Sequence, residues 1–486
     1  MHTIEKATRL IVISDLHLGG NDKAQMMSRP EVLADFIREL PEAWSDSPPL
    51  GEDEELELVI AGDFVDFLAL PAPGEERGVA WTPDPAVACA KLEAAMGGTF
   101  RPVFDALGEH VRAGHRLVVL IGNHDVELAL PSVQRAFTEG IGARAHQVRW
   151  IDDGRAYRVG GALIEHGNRY DWANQNDWDN LRALVSAQSR NETYDRFNKK
   201  LQISAGSVLV EKVVNAWKED YPFLDLLQPQ GELCALLLFA FEPALKLRDV
   251  AKIRQLMKTA WTGARQKVHE SSGQPGKRRN VSKAAGDDAV RGLSASAERD
   301  FEADLKAIRG GSASDVGDPT KTWRGVLKEN RTDGLAAIID RGDPIPEDRL
   351  LAIRALMRAL LKGDNTLSSG GPAGALGEAA DRLRWENNTG GSPVEVVVMG
   401  HTHHARHLPP GAEKASYINT GTWADLVTVP DAILQDGAEQ AFSDFLIRLR
   451  RDDEVRALHA SWADIRVEAD GSVSRAKLVE RAPDKG

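Results

Sequence analysis

The chain has 486 residues, 42% of them hydrophobic, and a formal net charge of -13, so it can hold more than one domain and bury an ordinary globular core. Its longest aliphatic run, Leu233 to Phe241, falls far short of the roughly 20 residues of a membrane-spanning helix, and the acidic balance disfavours nucleic acid as a partner over most of the surface. Met1 to Thr8 lacks the pattern of a secretory leader, and Cys89 and Cys234 stand far apart in unrelated segments; the expected location is the cytoplasm, with neither a disulfide framework nor a thiolate metal site.

In chain order, Leu10 to Ser14 reads as a strand buried on both faces and ends at Asp15-Leu16-His17. Val32, Leu33, Phe36, Ile37 and Leu40 then fall at helical spacing between Pro30 and Pro41, and a second strand, Leu56 to Ala61, ends at Gly62-Asp63. Pro102 opens a helix with apolar Val103, Phe104, Leu107 and Val111, closed by Gly114 where a left-handed cap belongs. Strand Leu117 to Ile121 runs into Gly122-Asn123-His124-Asp125, Ala162 to Ile164 into Glu165-His166-Gly167, and Val394 to Met399 into Gly400-His401-Thr402-His403. Each polar cluster follows a strand end, where open α/β sheets place their ligands.

Between the last two junctions strand signals nearly vanish. Residues 181–185, 208–217, 233–245 and 250–261 have helix-like content, and Pro346 to Leu361 is an amphipathic helix with an acidic first turn. Residues 266–318 are rich in Gly, Ser, Lys and Asp, which predicts a flexible segment. The expected organisation is a core in two parts, 1–170 and 393–486, around a mainly helical insertion, 171–392. The second part resumes with strand Ala415 to Asn419 and ends in a hairpin, Ile465 to Glu468 and Ser474 to Leu478, turning at Asp470-Gly471.

The clusters have the chemistry of metal ligands. Asp15 and His17 lie two apart, which on an extended chain points both side chains the same way, and so do His401 and His403. The Asp63 carboxylate can bridge two ions, Asn123 offers an amide oxygen and His166 an imidazole. Oxygen and nitrogen donors without thiolate suit Mn, Fe, Zn or Co over Mg or Ca. Taken singly, Asp-X-His is more often a surface loop and Gly-Asp or Gly-Asn a turn; five such clusters at five strand ends in one order point to a joint site. His404 and His407 are expected at its rim or in solvent, and His110, His115, His146, His269 and His459 have no partner cluster.

The series Asp15/His17, Gly62-Asp63-Phe64-Val65-Asp66, Gly122-Asn123-His124-Asp125, His166 and Gly400-His401-Thr402-His403 resembles the calcineurin-like metallophosphoesterases. The resemblance implies an α/β fold, a four-layer β-sandwich of mixed sheets flanked by helices. It places Asp15, His17, Asp63 and His403 on one divalent ion and Asp63, Asn123, His166 and His401 on a second. Mn2+ is the first expectation for the two ions, with Zn2+, Fe or Ni2+ as alternatives, and a water shared between them attacks phosphorus. It gives His124 the role of acting on the leaving group beside Asn123, as general acid or by stabilising charge, with Asp125 as its orienting neighbour. Asp66 reads as support for a ligating imidazole or else as a plain surface aspartate.

Gly167-Asn168-Arg169-Tyr170-Asp171 and Tyr417-Ile418-Asn419-Thr420-Gly421-Thr422-Trp423 resemble the UDP-2,3-diacylglucosamine pyrophosphatase branch. That likeness implies a pyrophosphate or phosphodiester in a phosphorylated small-molecule or lipid-linked substrate, with Arg169 contacting phosphate or else forming a surface salt bridge. Leu233 to Phe241 would line an acyl pocket or, as base rates favour, form a core helix. The alternative enzyme reading is a nuclease or nucleic-acid end-processing phosphatase, suggested by basic Lys277, Arg278 and Arg279 with Lys267 and Lys283. A non-catalytic scaffold would be marked by lost ligands, and none is lost.

Overall fold

The computed structural model describes residues 6–20, 25–40, 50–51, 54–75, 82–171, 174–192, 393–410, 416–452 and 455–481, with parts of 204–242 and 333–383. Cys234, helix 250–261, segment 266–318 and the basic residues Lys267, Lys277, Arg278, Arg279 and Lys283 lie outside the described residues, and Leu233 to Phe241 falls inside them only in part.

The strands are β1 (Thr8–Ile13), β2 (Glu55–Ala61), β3 (Arg116–Leu120), β4 (Val148–Ile151), β5 (Tyr157–Val159), β6 (Ala162–Ile164), β7 (Leu227–Gln228), β8 (Val396–Met399), β9 (Arg406–Leu408), β10 (Ser416–Asn419), β11 (Asp425–Thr428), β12 (Ala457–Leu458), β13 (Ser461–Val467) and β14 (Val473–Glu480). One sheet has the order β14-β13-β1-β2-β3-β4, with β1 to β4 parallel and the antiparallel hairpin β13-β14 at its edge. A second has the order β5-β6-β8-β10-β9, with β6, β8 and β10 parallel. The hairpin turns as expected at Gly471, whose φ of 87° favours glycine.

Alternation along the strands explains why both faces of the first sheet are apolar. Leu10, Val12, Val59 and Val118 meet Ile164, Val396, Val398 and Ile418 of the second sheet. Ile11, Ile13, Leu58 and Val119 face the helices instead. These are α1 (Pro30–Glu39), α2 (Pro85–Gly97), α3 (Arg101–Arg112), α4 (Pro131–Gly140) and α5 (Trp178–Gln188). Phe36 of α1 packs between Trp423 and Trp462, with ring centroids 4.8 and 4.7 Å away. The outer face of the second sheet, with Val397, Met399 and Tyr417, is covered by Leu376, Ala379 and Ala380. The result is the expected α/β sandwich of mixed sheets with helices outside.

Helices α1 and α3 fall where the spacing predicts, and Gly114 takes its left-handed cap at φ 95°. The sequence pattern does not reveal α2, whose buried side chains include Lys91 beside Ala88, Leu92 and Ala95 rather than an apolar stripe. Its local signals are Pro85 in the first turn and Asp84, which accepts hydrogen bonds from the Ala86 and Val87 N–H groups. Helix α4 likewise starts on a proline, Pro131.

The chain forms two compact units, one of Met1–Ala216, Pro372–Asp425 and Leu458–Gly486, the other of Trp217–Gly371 and Leu426–Ala457. These bounds differ from the expected insertion 171–392. Leu181 and Leu184 of α5 belong to the main core of the first unit. In the second unit the helix Glu439–Arg451 joins the expected helical segments, Arg450 pairing with Asp340 at 2.8 Å and donating to the Asp220 carbonyl at 2.7 Å. The helix Glu347–Gly363 realises the amphipathic segment, and Tyr221, Phe223 and Phe241 form an aromatic cluster with centroids 5.6–5.9 Å apart. Among the described residues, no helix is long and apolar enough to cross a membrane.

Candidate metal centre

Five parallel strands deliver the expected ligands from their carboxyl ends: β1 precedes Asp15 and His17, β2 Asp63, β3 Asn123 and His124, β6 His166, and β8 His401 and His403. The extended conformation expected around the paired ligands is not what the backbone adopts. Asp15, His17, Asp63, His401 and His403 have φ of 54°, 48°, 50°, 70° and 56°, and among the described non-glycine residues the only others at positive φ are Asn191 and Asp452. A left-handed non-glycine residue costs on the order of 1–3 kcal/mol and persists only where surroundings enforce it. Here the loops after β1 and β2 enforce it on each other, Asp15 N–H donating to the Gly62 carbonyl at 3.1 Å and His17 N–H to that of Asp63 at 2.9 Å. Thr422 adds a hydroxyl donated to the Asp15 carbonyl at 2.6 Å.

Two groups of donors converge. Asp15, His17 and His403 form one, with the Nε2 atoms of the two histidines 3.0 Å apart and His403 Nε2 3.4 Å from Asp15 Oδ1. Asp63, His166 and His401 form the other, with His166 Nε2 3.2 Å from both Asp63 Oδ2 and Asn123 Oδ1. Asp63 Oδ2 is also 3.9 Å from His17 Nε2, so one carboxylate oxygen stands between the groups. A third grouping, His17, Asp66 and His124, adjoins the first.

The electrostatics follow from burial. Burial pushes His17 down to about 3, with His124 and His403 acting the same way, which keeps the imidazole in its neutral, ligating form. Burial would raise the Asp63 carboxyl, but His166 and His124 hold it well below the usual range. For His166, burial opposes charge, yet Asp63, Asp15 and Asp125 raise it to about 10. The site is therefore a concentration of negative charge in which a proton on His166 takes the place a cation would fill.

The motif glycines are explained by contact. A Cβ on Gly122 would land on Asp63 Oδ1, one on Gly62 would strike the His166 ring, and one on Gly400 would strike Ser14 Oγ and Asp15 Oδ2. Gly122→Ala is accordingly expected to lower activity by at least ~10²-fold by displacing Asp63, since small misplacements of reacting groups cost rates of that order. Wild-type kcat in that variant would contradict this account of the contact.

Asp125, expected as the orienting neighbour of His124, has its hydrogen bonds to the backbone. Asp125 is fully buried, and both its oxygens accept backbone N–H groups, Gly122 at 2.6 Å and Phe64 at 2.7 Å. Burial and then the Asp63 charge raise its carboxyl to about 7. Asp125 thus ties the β2 and β3 loops together. The carboxylate beside His124 is Asp66, with Oδ1 3.1 Å from Nδ1, while its Oδ2 lies 3.9 Å from His17 Nδ1. Arg169 faces Glu165 at 3.7 Å and donates to the Gly154 carbonyl, which is the salt-bridge alternative. His407 Nε2 meets Ser416 Oγ at 3.0 Å.

Residues 8–227 match the calcineurin-like phosphoesterase family. The chain carries a calcineurin-like phosphoesterase domain. The match includes four of the five clusters and stops before Gly400–His403, which β8 brings to the same place. With this domain and its Asp/His groups, the protein is a metal-dependent phosphoesterase. A search of curated proteins finds no match. Among solved structures the chain is similar to phosphopantetheinyl hydrolase (PptH) from Mycobacterium tuberculosis at 13% identity, covering 88% of this chain and 90% of that one with a TM-score of 0.23, a likeness too distant to bear on the activity of this phosphoesterase.

Two contacts escape the sequence reading: Asp171, with Oδ2 3.1 Å from His401 Nε2, and Ser14, whose hydroxyl donates to Asp15. In the sequence Asp171 is only the last residue of the Gly167–Asp171 stretch, with nothing local to tie it to His401.

Proposed function

We propose that this phosphoesterase holds two divalent ions, Mn2+ first among the candidates, and hydrolyses a phosphodiester or pyrophosphate bond in a phosphorylated small-molecule or lipid-linked substrate. The observation that carries the reading is Asp63 Oδ2, placed 3.2 Å from His166 Nε2 in one donor group and 3.9 Å from His17 Nε2 of the other.

The residues fit such a pair of ions. His166 Nδ1–H donates to the Ala61 carbonyl at 2.8 Å, so Nε2 is the nitrogen that faces the Asp63 and Asn123 oxygens, each 3.2 Å away. Such buried acceptors need a positive group between them: the proton on His166 serves in the metal-free protein, and a divalent ion would take its place. His17 Nε2 and His403 Nε2 also lie face to face, and buried His17 Nδ1 lacks a hydrogen-bond partner among the described residues. Asp15, His17, Asp63 and His403 would hold one ion and Asp63, Asn123, His166 and His401 the other. Two ions in such a site supply neutralisation of phosphoryl charge and acidify water at neutral pH.

The chain's own groups do the rest. Asp66 accepts from His124 Nδ1–H and so fixes the ring, leaving Nε2 to exchange a proton with the leaving group. The His124 side chain is 17% exposed, against 1–2% for its neighbours His17, Asp63 and Asp66, which suits a group that reaches substrate. The left-handed loops hold the ligands before substrate arrives, so the reaction need not organise them.

The test is hydrolysis of bis-p-nitrophenyl phosphate by metal-stripped protein. Activity should vanish on stripping and return with Mn2+, Zn2+ or Ni2+ ahead of Mg2+, and metal analysis should find two ions per chain. Full activity in the stripped protein would sink the proposal. Comparison with a nucleoside diphosphate lipid separates the substrates, because equal turnover on both removes the lipid-linked reading.

A further inference from the structure

The segment after His166 does more than lead out of the core. Gly167, at φ 109°, places a Cβ position only 3.4 Å from His401 Cβ, so the chain passes close to that histidine. Four residues on, Asp171 Oδ2 lies 3.1 Å from His401 Nε2. The same Oδ2 accepts from Asn174 Nδ2 at 2.6 Å, and Asn168 Nδ2 in turn donates to the Asn174 carbonyl at 3.0 Å. Asn176 then donates to the Gly122 carbonyl at 2.7 Å, beside Asn123. One short segment thus touches the residues or loops that present His401 and Asn123, and it begins at His166.

We infer that Asp171 is a positioning residue that sets the affinity of the ion held by Asp63, Asn123, His166 and His401. The inference rests on the two-ion reading above. A ligating imidazole usually gives its second N–H to a carboxylate, which fixes the tautomer and makes the ring a better donor. With Nε2–H donated to Asp171, His401 Nδ1 keeps the lone pair for the group it shares with Asp63 and His166. Asn174 holds the carboxylate in place. His401 also meets the other group, but through its backbone N–H, which donates to Asp15 Oδ2 at 3.0 Å, and not through the ring that Asp171 orients, so the larger effect falls on one ion.

Equilibrium dialysis of the full chain against Mn2+ alone, followed by metal analysis, tests this. Wild type should take up two ions. Asp171→Asn, isosteric but uncharged, should keep one at unchanged affinity and bind the other about 10–100-fold more weakly, the usual effect of removing such a partner. Asn174→Ala should shift the same ion in the same direction by less, and it keeps the test decisive if Asp171→Asn fails to fold. Two ions at wild-type affinity in both variants, or equal weakening of both ions, overturns the inference. A wild-type chain that takes up fewer than two ions removes the two-ion reading and this inference with it.

Discussion

Asp63→Asn is expected to lower kcat by at least ~10³-fold, equivalent to about 4 kcal/mol of lost transition-state stabilisation, and to leave the protein unable to retain two ions. The side chain is buried, and its two oxygens have different duties: Oδ1 accepts the His124 N–H at 2.8 Å, while Oδ2 stands between the two donor groups. Asparagine can keep one of these oxygens as an acceptor. It then presents an NH2 group to the other side, where a charged oxygen is needed. His166 and His124 hold the native carboxyl ionised, so the charge lost is one the wild type carries throughout the working pH range. Retained metal stoichiometry and kcat in this variant would remove the bridging role and with it the central mechanistic claim. Because the substitution is nearly isosteric, a change in thermal unfolding of the metal-free protein should be small beside the change in activity.

His124→Ala should cost about 10²–10⁴-fold in kcat, the range typical of a general acid, while leaving metal content intact. The dependence on leaving group separates this role from a structural one. A substrate that releases p-nitrophenolate needs little protonation, so it should lose least, and an alkyl diester should lose most. Asp66→Asn should follow the same pattern more weakly, because His124 would keep its place over the site but lose the carboxylate 3.1 Å from Nδ1 that stabilises its charged form. Asp125→Asn should not follow it. Its carboxylate is committed to the Gly122 and Phe64 N–H groups, so loss there should show as reduced stability and loosened metal binding with no leaving-group dependence. Equal losses on both substrates for His124→Ala would turn the histidine into a charge stabiliser with no proton to give.

The order of the motifs was enough to propose the ligands, because each is a short-range pattern in which a strand ends and a donor follows. The alternation of Leu10, Ile11, Val12 and Ile13 likewise announces a strand covered on both faces. Helix α2 was not legible, since Lys91 occupies a buried position, and the packing of Leu181 and Leu184 into the main core could not be read from their helical spacing. Three features of the site depended on residues remote in sequence. The left-handed backbone at Asp15 and His17 is imposed by carbonyls of Gly62 and Asp63. The choice of Asp66 over Asp125 beside His124 depends on which carboxylate the Gly122 and Phe64 amides claim. The contact of Asp171 with His401 joins residues 230 positions apart. The candidate ligands follow from residue type and local strand periodicity, so the sequence by itself determined which side chains to propose; partnership between them and their supports is a property of which loops the two sheets bring together, and that was decided only by the tertiary structure.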